Sequence, residues 1–209
     1  MEVESMREKG SLLAALLVAL GLTGMVLAQR VKEDSRTMER NEHDYGKPNA
    51  NAPQELHQFA FLLGKWRGEA KLKREDGTWD LLNASWEGRY ILDGYVIADE
   101  YRMTTPEGQL LVLGINLRTY DAKKKAWNMK WLNALSGTWT DLGPEELGGV
   151  VADGAAISYC MKEPVARHAL TRATYVRISA DRFTWRGDRS DDGKTWEQFL
   201  VIELHRVEE

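Results

Sequence analysis

Aromatic rings and guanidinium groups make up most of the recognition chemistry that this sequence offers. Trp86, Tyr101, Trp127, Trp131, Trp139, Tyr175 and Trp185 recur along segments of strand-like composition, with Arg118, Arg172 and Arg186 among them. Flat rings stack on and enclose apolar or aromatic molecules, and an arginine fork anchors a polar or anionic group. The set therefore suits binding of a small apolar or aromatic ligand. The same residues also suit a filled core with the arginines paired to carboxylates at its rim, and the sequence leaves both readings open.

Constellations for covalent or metal chemistry are absent from the pattern. His43, His57, His168 and His205 show no i,i+2 or i,i+4 pairing and no matching Cys or Asp, so neither a metal nor another cofactor is expected. Asp99 and Glu100 are adjacent and point to opposite faces of a strand, which prevents them from flanking a glycosidic bond together. There is no strained G-x-S-x-G turn and no phosphate loop. Cys160 is the only cysteine, which rules out an intrachain disulfide. It reads as a small hydrophobe in the strand Ile157-Ser158-Tyr159-Cys160, with no basic cluster to depress its pKa. An enzyme at a barrel mouth, with Arg118 or Arg186 orienting an anionic substrate, remains a further reading that no constellation argues for.

The elements that must position these side chains follow from pattern and punctuation. The chain has 209 residues and a formal charge of −4, which gives no electrostatic footprint for nucleic acid. Leu12–Leu20 is an uninterrupted run of Leu, Ala and Val behind Arg7 and Lys9, and Val26-Leu27-Ala28 ends it on a small residue. That describes a signal peptide over 1–28, hence a secreted or periplasmic protein with no membrane association after cleavage. The rival is an uncleaved anchor, but Leu12–Ala28 would span only ~25 Å as a helix against a hydrocarbon core of ~30 Å. Residues 29–52 are polar, charge-mixed and rich in turn formers, the composition of a flexible linker. A domain over 53–209 then begins at Pro53 with a short helix carrying Leu56, Phe59, Ala60 and Leu63, and Gly64 ends it.

From Trp66 onward the period shortens. Strands of 6–13 residues are separated by Asp76-Gly77, Asp93-Gly94, Pro106-Glu107-Gly108, Asp121–Lys124, Asp153-Gly154 and Asp191-Asp192-Gly193. The expected strands are 65–74, 79–91, 95–104, 109–120, 125–133, 137–142, 154–162, 169–179, 182–189 and 195–206. Sequential hairpins need no crossovers, so the expected fold is all-β: an antiparallel up-and-down β-barrel of about 8–10 strands with one short N-terminal helix. The hairpin Ser190–Trp196 is similar to the Asp-box of sialidases but one residue short, and reads as an ordinary turn. The pattern does not speak to oligomeric state.

Three segments carry a resemblance over roughly Pro53–Val207. Phe61-Leu62-Leu63-Gly64-Lys65-Trp66-Arg67-Gly68, then Leu113–Asp121 with Trp127, then Trp196 with Glu203-Leu204-His205-Arg206, resemble a calycin-like bacterial family of unknown function, number fifteen seventy-nine. That resemblance implies a lipocalin-type barrel and assigns no activity. In lipocalins a Gly-x-Trp tryptophan sits at the closed end beneath a last-strand arginine. Carried over, Gly64, Trp66 and Arg206 would form that closure. The haem-binding nitrobindins have a similar opening but place a proximal His about seven residues before the closing Arg. Here that position is Phe199, Ala70 replaces a glycine of the opening, and His205 falls on the other side of the strand from Arg206.

Overall fold

The structure is a computed structural model that describes residues 45–162 and 169–207. The segment read as a signal peptide, the linker up to residue 44, His43 and His168 lie outside the described residues. The first described element is a 3₁₀ helix, Gln54–Leu62, which buries Leu56, Phe59 and Leu62. A repeat of every third residue matches the three-residue turn of a 3₁₀ helix and explains why this form wins over α. None of the described helices is long and apolar enough to cross a membrane.

Eleven strands follow among the described residues: β1 (Gly64–Lys73), β2 (Trp79–Ile91), β3 (Val96–Thr104), β4 (Leu110–Asp121), β5 (Ala126–Asn133), β6 (Thr138–Leu142), β7 (Val150–Asp153), β8 (Ala156–Lys162), β9 (Leu170–Ser179), β10 (Arg182–Ser190) and β11 (Glu197–Arg206). Each pairs with its chain neighbours, except that β6 and β7 do not pair with each other, and β1 pairs with β11. The result is an antiparallel meander curled into a calycin-like barrel. Ten strands stand where the sequence places them. β7 is the addition, a short strand behind Gly148-Gly149 whose Val151 faces solvent, so it lacks the apolar alternation by which strands are recognised.

The ring is interrupted at one place. β7 covers the first half of the β8 edge, from Asp153↔Ala156 to Val150↔Tyr159. Just beyond, Gly143 N–H donates to Cys160 O at 2.9 Å, so the end of β6 meets β8 through a single backbone hydrogen bond.

Alternation sorts the faces. Inward positions carry the core, including Trp66, Trp86, Tyr101, Met129, Tyr159, Tyr175, Phe183, Ile202 and Leu204. The 3₁₀ helix closes one end, with Phe59 edge-on to Trp127 at 4.9 Å and to Tyr175 at 6.0 Å between centroids. A Cβ on Gly88 would lie 2.3 Å from Leu62 O, so only glycine lets the helix settle this closely on β2.

Residues 45–52, read above as the end of a linker, are packed on the barrel. Tyr45 is 6% exposed and its carbonyl accepts from Tyr90 N–H at 2.7 Å. Asn49 donates from its backbone to Gly94 O and from its side chain to Asp93 O. A single aromatic anchor and two turn contacts hold this segment, too few apolar residues to show as a period in sequence.

Candidate functional site

The strand faces produce two different ends. At the closed end, Trp66 is buried and the Arg206 guanidinium lies 4.1 Å from its ring centroid. Trp66 Nε1 donates to Leu62 O at 3.0 Å, and Arg206 Nη1 donates to Leu63 O at 2.7 Å. Gly64 sits between them at φ 103°, and a Cβ there would lie 2.3 Å from Arg206 Nη1. Its absent side chain is therefore what admits the arginine, in addition to its marking where the helix ends.

Away from that closure a cavity of about 560 Å³ occupies the lumen and opens at the β5–β6 hairpin beside exposed Ser136. Seven aromatic side chains line it: Trp86, Tyr101, Trp131, Tyr159, Tyr175, Trp185 and Phe199. Aliphatic side chains from β4, β6, β8 and β11 fill the walls between them, and Asn133, Thr138, Thr140 and Thr171 add polar groups. No Asp, Glu, Lys, Arg or His lines the cavity among the described residues. Two inward glycines make room for its tryptophans. A Cβ on Gly114 would lie 2.3 Å from Trp131 Cη2, and one on Gly187 would lie 2.8 Å from Trp185 and 2.9 Å from Phe199.

Beneath the cavity runs a buried polar network. Arg118 and Asp99 are both 0% exposed and ion-paired, through Arg118 Nη1 and Asp99 Oδ1. Asn116 Nδ2 donates to Asp99 Oδ2 at 2.6 Å, and Arg118 Nη2 donates to Tyr175 OH at 2.8 Å. Tyr159 and Tyr175 hydroxyls stand 3.3 Å apart. Arg118 also lies over the Phe59 ring at 4.9 Å, which joins the network to the helix. Burial pushes the Asp99 carboxyl up, opposed by Arg118 and Asn116, while the Asp99 carboxylate keeps Arg118 fully charged against its own burial. Burial raises Tyr101, Tyr159 and Tyr175 above the ordinary phenol value, so the hydroxyls at the lumen stay neutral.

The sequence-predicted residues divide accordingly. Trp86, Tyr101, Trp131, Tyr175 and Trp185 share the cavity. Arg118 points inward but lies under the floor, committed to Asp99. Trp127 also points inward, yet it packs at the closed end against Phe59 and against Tyr120 at 5.5 Å. Trp139 is 50% exposed on the outer face, because Thr138 and Thr140 take the lumen side of β6. Arg186 is outside as well, 3.3 Å from Asp188, as its neighbour Trp185 faces in. Arg172 joins it, 3.0 Å from Asp188 and 4.4 Å from the Trp196 ring centroid.

Asn116, Thr140, Tyr159, Thr171 and Phe199 are lumen residues that the sequence reading missed. The available signal was register. Asn116 pairs with Trp131, and Trp131 with Thr140, so a lumen assignment for the tryptophan carries its two neighbours with it. Outside the cavity lining, Glu197 of β11 holds Lys73 of β1 at 2.8 Å and Arg189 of β10 at 3.2 Å. His205 is exposed on the outer face of β11. Burial raises the Cys160 thiol, opposed by Arg172. Among the described residues no three His, Cys, Asp or Glu side chains gather as a metal site.

No family model matches this chain, and neither does any curated protein. Among solved structures, Rv2717c from M. tuberculosis superposes with a TM-score of 0.54 at 14% identity, over 76% of this chain and 100% of that one. The S-type phycobiliprotein lyase CPES from Guillardia theta gives 0.49 at 11% identity, over 74% and 93% of the two chains. A redesigned β-barrel, mFAP1 bound to DFHBI, gives 0.33 at 16% identity, over 70% and 96%. At such identities a likeness bears on the fold alone, and the first of them agrees with the calycin-like barrel that the strand order describes.

Proposed function

We propose that this chain is a binding barrel that takes a small, neutral, apolar or aromatic ligand into its lumen. The carrying observation is the cavity of about 560 Å³, walled by seven aromatic rings, free of charged side chains among the described residues and open at one end. That volume falls within the range of pockets that enclose small molecules, and its mostly apolar wall with a few convergent polar groups is what such sites share. A filled barrel serving as an interaction module is the competing reading, and the open lumen favours binding over it.

Native mass spectrometry of protein purified from its own host tests the proposal directly. A copurifying neutral compound of matching mass supports it. Tryptophan fluorescence that stays unchanged across a panel of aromatic and lipid-like compounds overturns it, because Trp86, Trp131 and Trp185 would all contact the ligand. Export through the segment 1–28 belongs to the same proposal, motivated by the apolar run and its small-residue terminus. N-terminal sequencing of the mature protein should begin near Gln29, and an N-terminus that retains the apolar run Leu12–Leu20 would refute cleavage. Kinship with the bacterial family numbered fifteen seventy-nine is likewise proposed, on the three motifs that carry the resemblance.

A further inference from the structure

A count of protons at the base of the lumen shows which hydrogen bonds remain to be made. Arg118 commits Nη1 to Asp99 and Nη2 to Tyr175 OH. Asn116 commits one Nδ2 proton to Asp99 Oδ2, and that bond fixes the amide orientation, because the reverse would set its oxygen against a carboxylate oxygen. Asn116 Oδ1 therefore faces away from the ion pair, and no described residue donates to it. Asn116 nevertheless lines the cavity at 5% exposure. Among the described residues, Asn116 Oδ1 is not one of the fully buried side-chain atoms left without a partner. Tyr159 and Tyr175 hold two hydroxyl protons between them, and their mutual contact uses one. Arg118 occupies a lone pair of Tyr175, so one phenolic proton is left over whichever tyrosine donates.

Resting on the reading of the lumen as a ligand site, we infer that this base is a two-point recognition subsite. Asn116 Oδ1 accepts an N–H or O–H of the ligand, and the surplus Tyr159/Tyr175 proton is donated to a ligand carbonyl or ring nitrogen. Asp99 and Arg118 act as positioning residues, each end of their ion pair holding one of the two recognition groups. Because Asp99 neutralises Arg118, the base offers no unpaired cation to an anion. The ligand class is a neutral ring compound with a donor and an acceptor on one edge, the pattern of a lactam. Such preorganised polar groups discriminate strongly, since an analogue lacking the matching group leaves them buried and unpaired.

The test uses three probes of similar ring size: 2-quinolinone, its 1-methyl derivative, which lacks the N–H, and naphthalene, which lacks both groups. Dissociation constants from tryptophan fluorescence are measured on the wild type and on Asn116→Leu. The wild type should bind 2-quinolinone about tenfold or more tighter than 1-methyl-2-quinolinone. Asn116→Leu should narrow that preference to within about twofold while still binding naphthalene. Equal binding of the two quinolinones by wild type, or an undiminished preference in the variant, overturns the subsite. Should Asn116→Leu fail to fold, the wild-type comparison decides alone. Naphthalene binding with no preference among the three removes only the subsite and leaves the container standing. Failure of all three to bind removes both.

Discussion

Arg118 carries a full charge into the core with none of its surface in water. A lone buried charge is strongly destabilising, whereas an apolar pair of similar volume often is not. Arg118→Met should therefore cost about 3–5 kcal/mol by leaving Asp99 uncompensated, and Asp99→Leu combined with Arg118→Met should recover most of the loss in urea unfolding. At the closed end, Gly64→Ala combines a left-handed backbone with a collision at Arg206, and a loss of about 1–3 kcal/mol in the same assay is expected. Asp192 gives a pH dependence. Its carboxylate accepts from Lys194 N–H at 2.8 Å and Thr195 N–H at 2.7 Å, and these bonds hold it down at about 2. A folded value below the ordinary carboxylate range means stabilisation that is complete above that range and lost as pH falls through about 2. Thermal unfolding of wild type and Asp192→Ala should thus differ near neutrality and converge in strong acid. The closure residues were legible in sequence because their spacing is a motif. Trp139 and Arg186 were misplaced because a face assignment inverts with a shift of one residue, and Arg186 could never have shared a face with Trp185.

Among elements, β10 shows how a wall is shaped by what one position lacks. Gly187 leaves space that Trp185 and Phe199 fill, so Gly187→Ala should displace both rings and weaken aromatic-probe binding more than it lowers the urea midpoint. The seam between β6 and β8 has one backbone hydrogen bond where every other junction has a ladder. Amide hydrogen exchange should consequently be fastest in β6 and β7 and slowest in β1, β2, β10 and β11, and uniform protection around the ring would contradict the interruption. Ten strands could be placed from sequence because turn signals bound them and apolar residues alternate within them. β7 could not, since four residues with an outward Val151 carry no period. The packed segment 45–52 was hidden in the same way, its one anchor, Tyr45, being lost in a polar stretch.

For the whole molecule, the residues that identify the fold stand apart from those suited to function. Trp66 and Arg206 seal one end, while the cavity lies beyond the buried ion pair toward the other. The barrel was legible because local period and punctuation specify it. The lumen base was not, because Asp99, Asn116, Tyr159 and Tyr175 meet only through strand register and curl, which no local window contains. A last consequence follows from where the charges sit. Lys73, Arg189 and Glu197 form an ion-paired cluster on the adjacent strands β1, β10 and β11, and none lines the cavity. Dissolved ions screen exposed charges and leave a neutral enclosure untouched. The affinity of a lumen-bound compound should stay flat as sodium chloride rises from 10 to about 500 mM, over which the screening length shrinks severalfold. A compound held by surface charges such as these would instead loosen with added salt, so ionic strength alone tells the two apart.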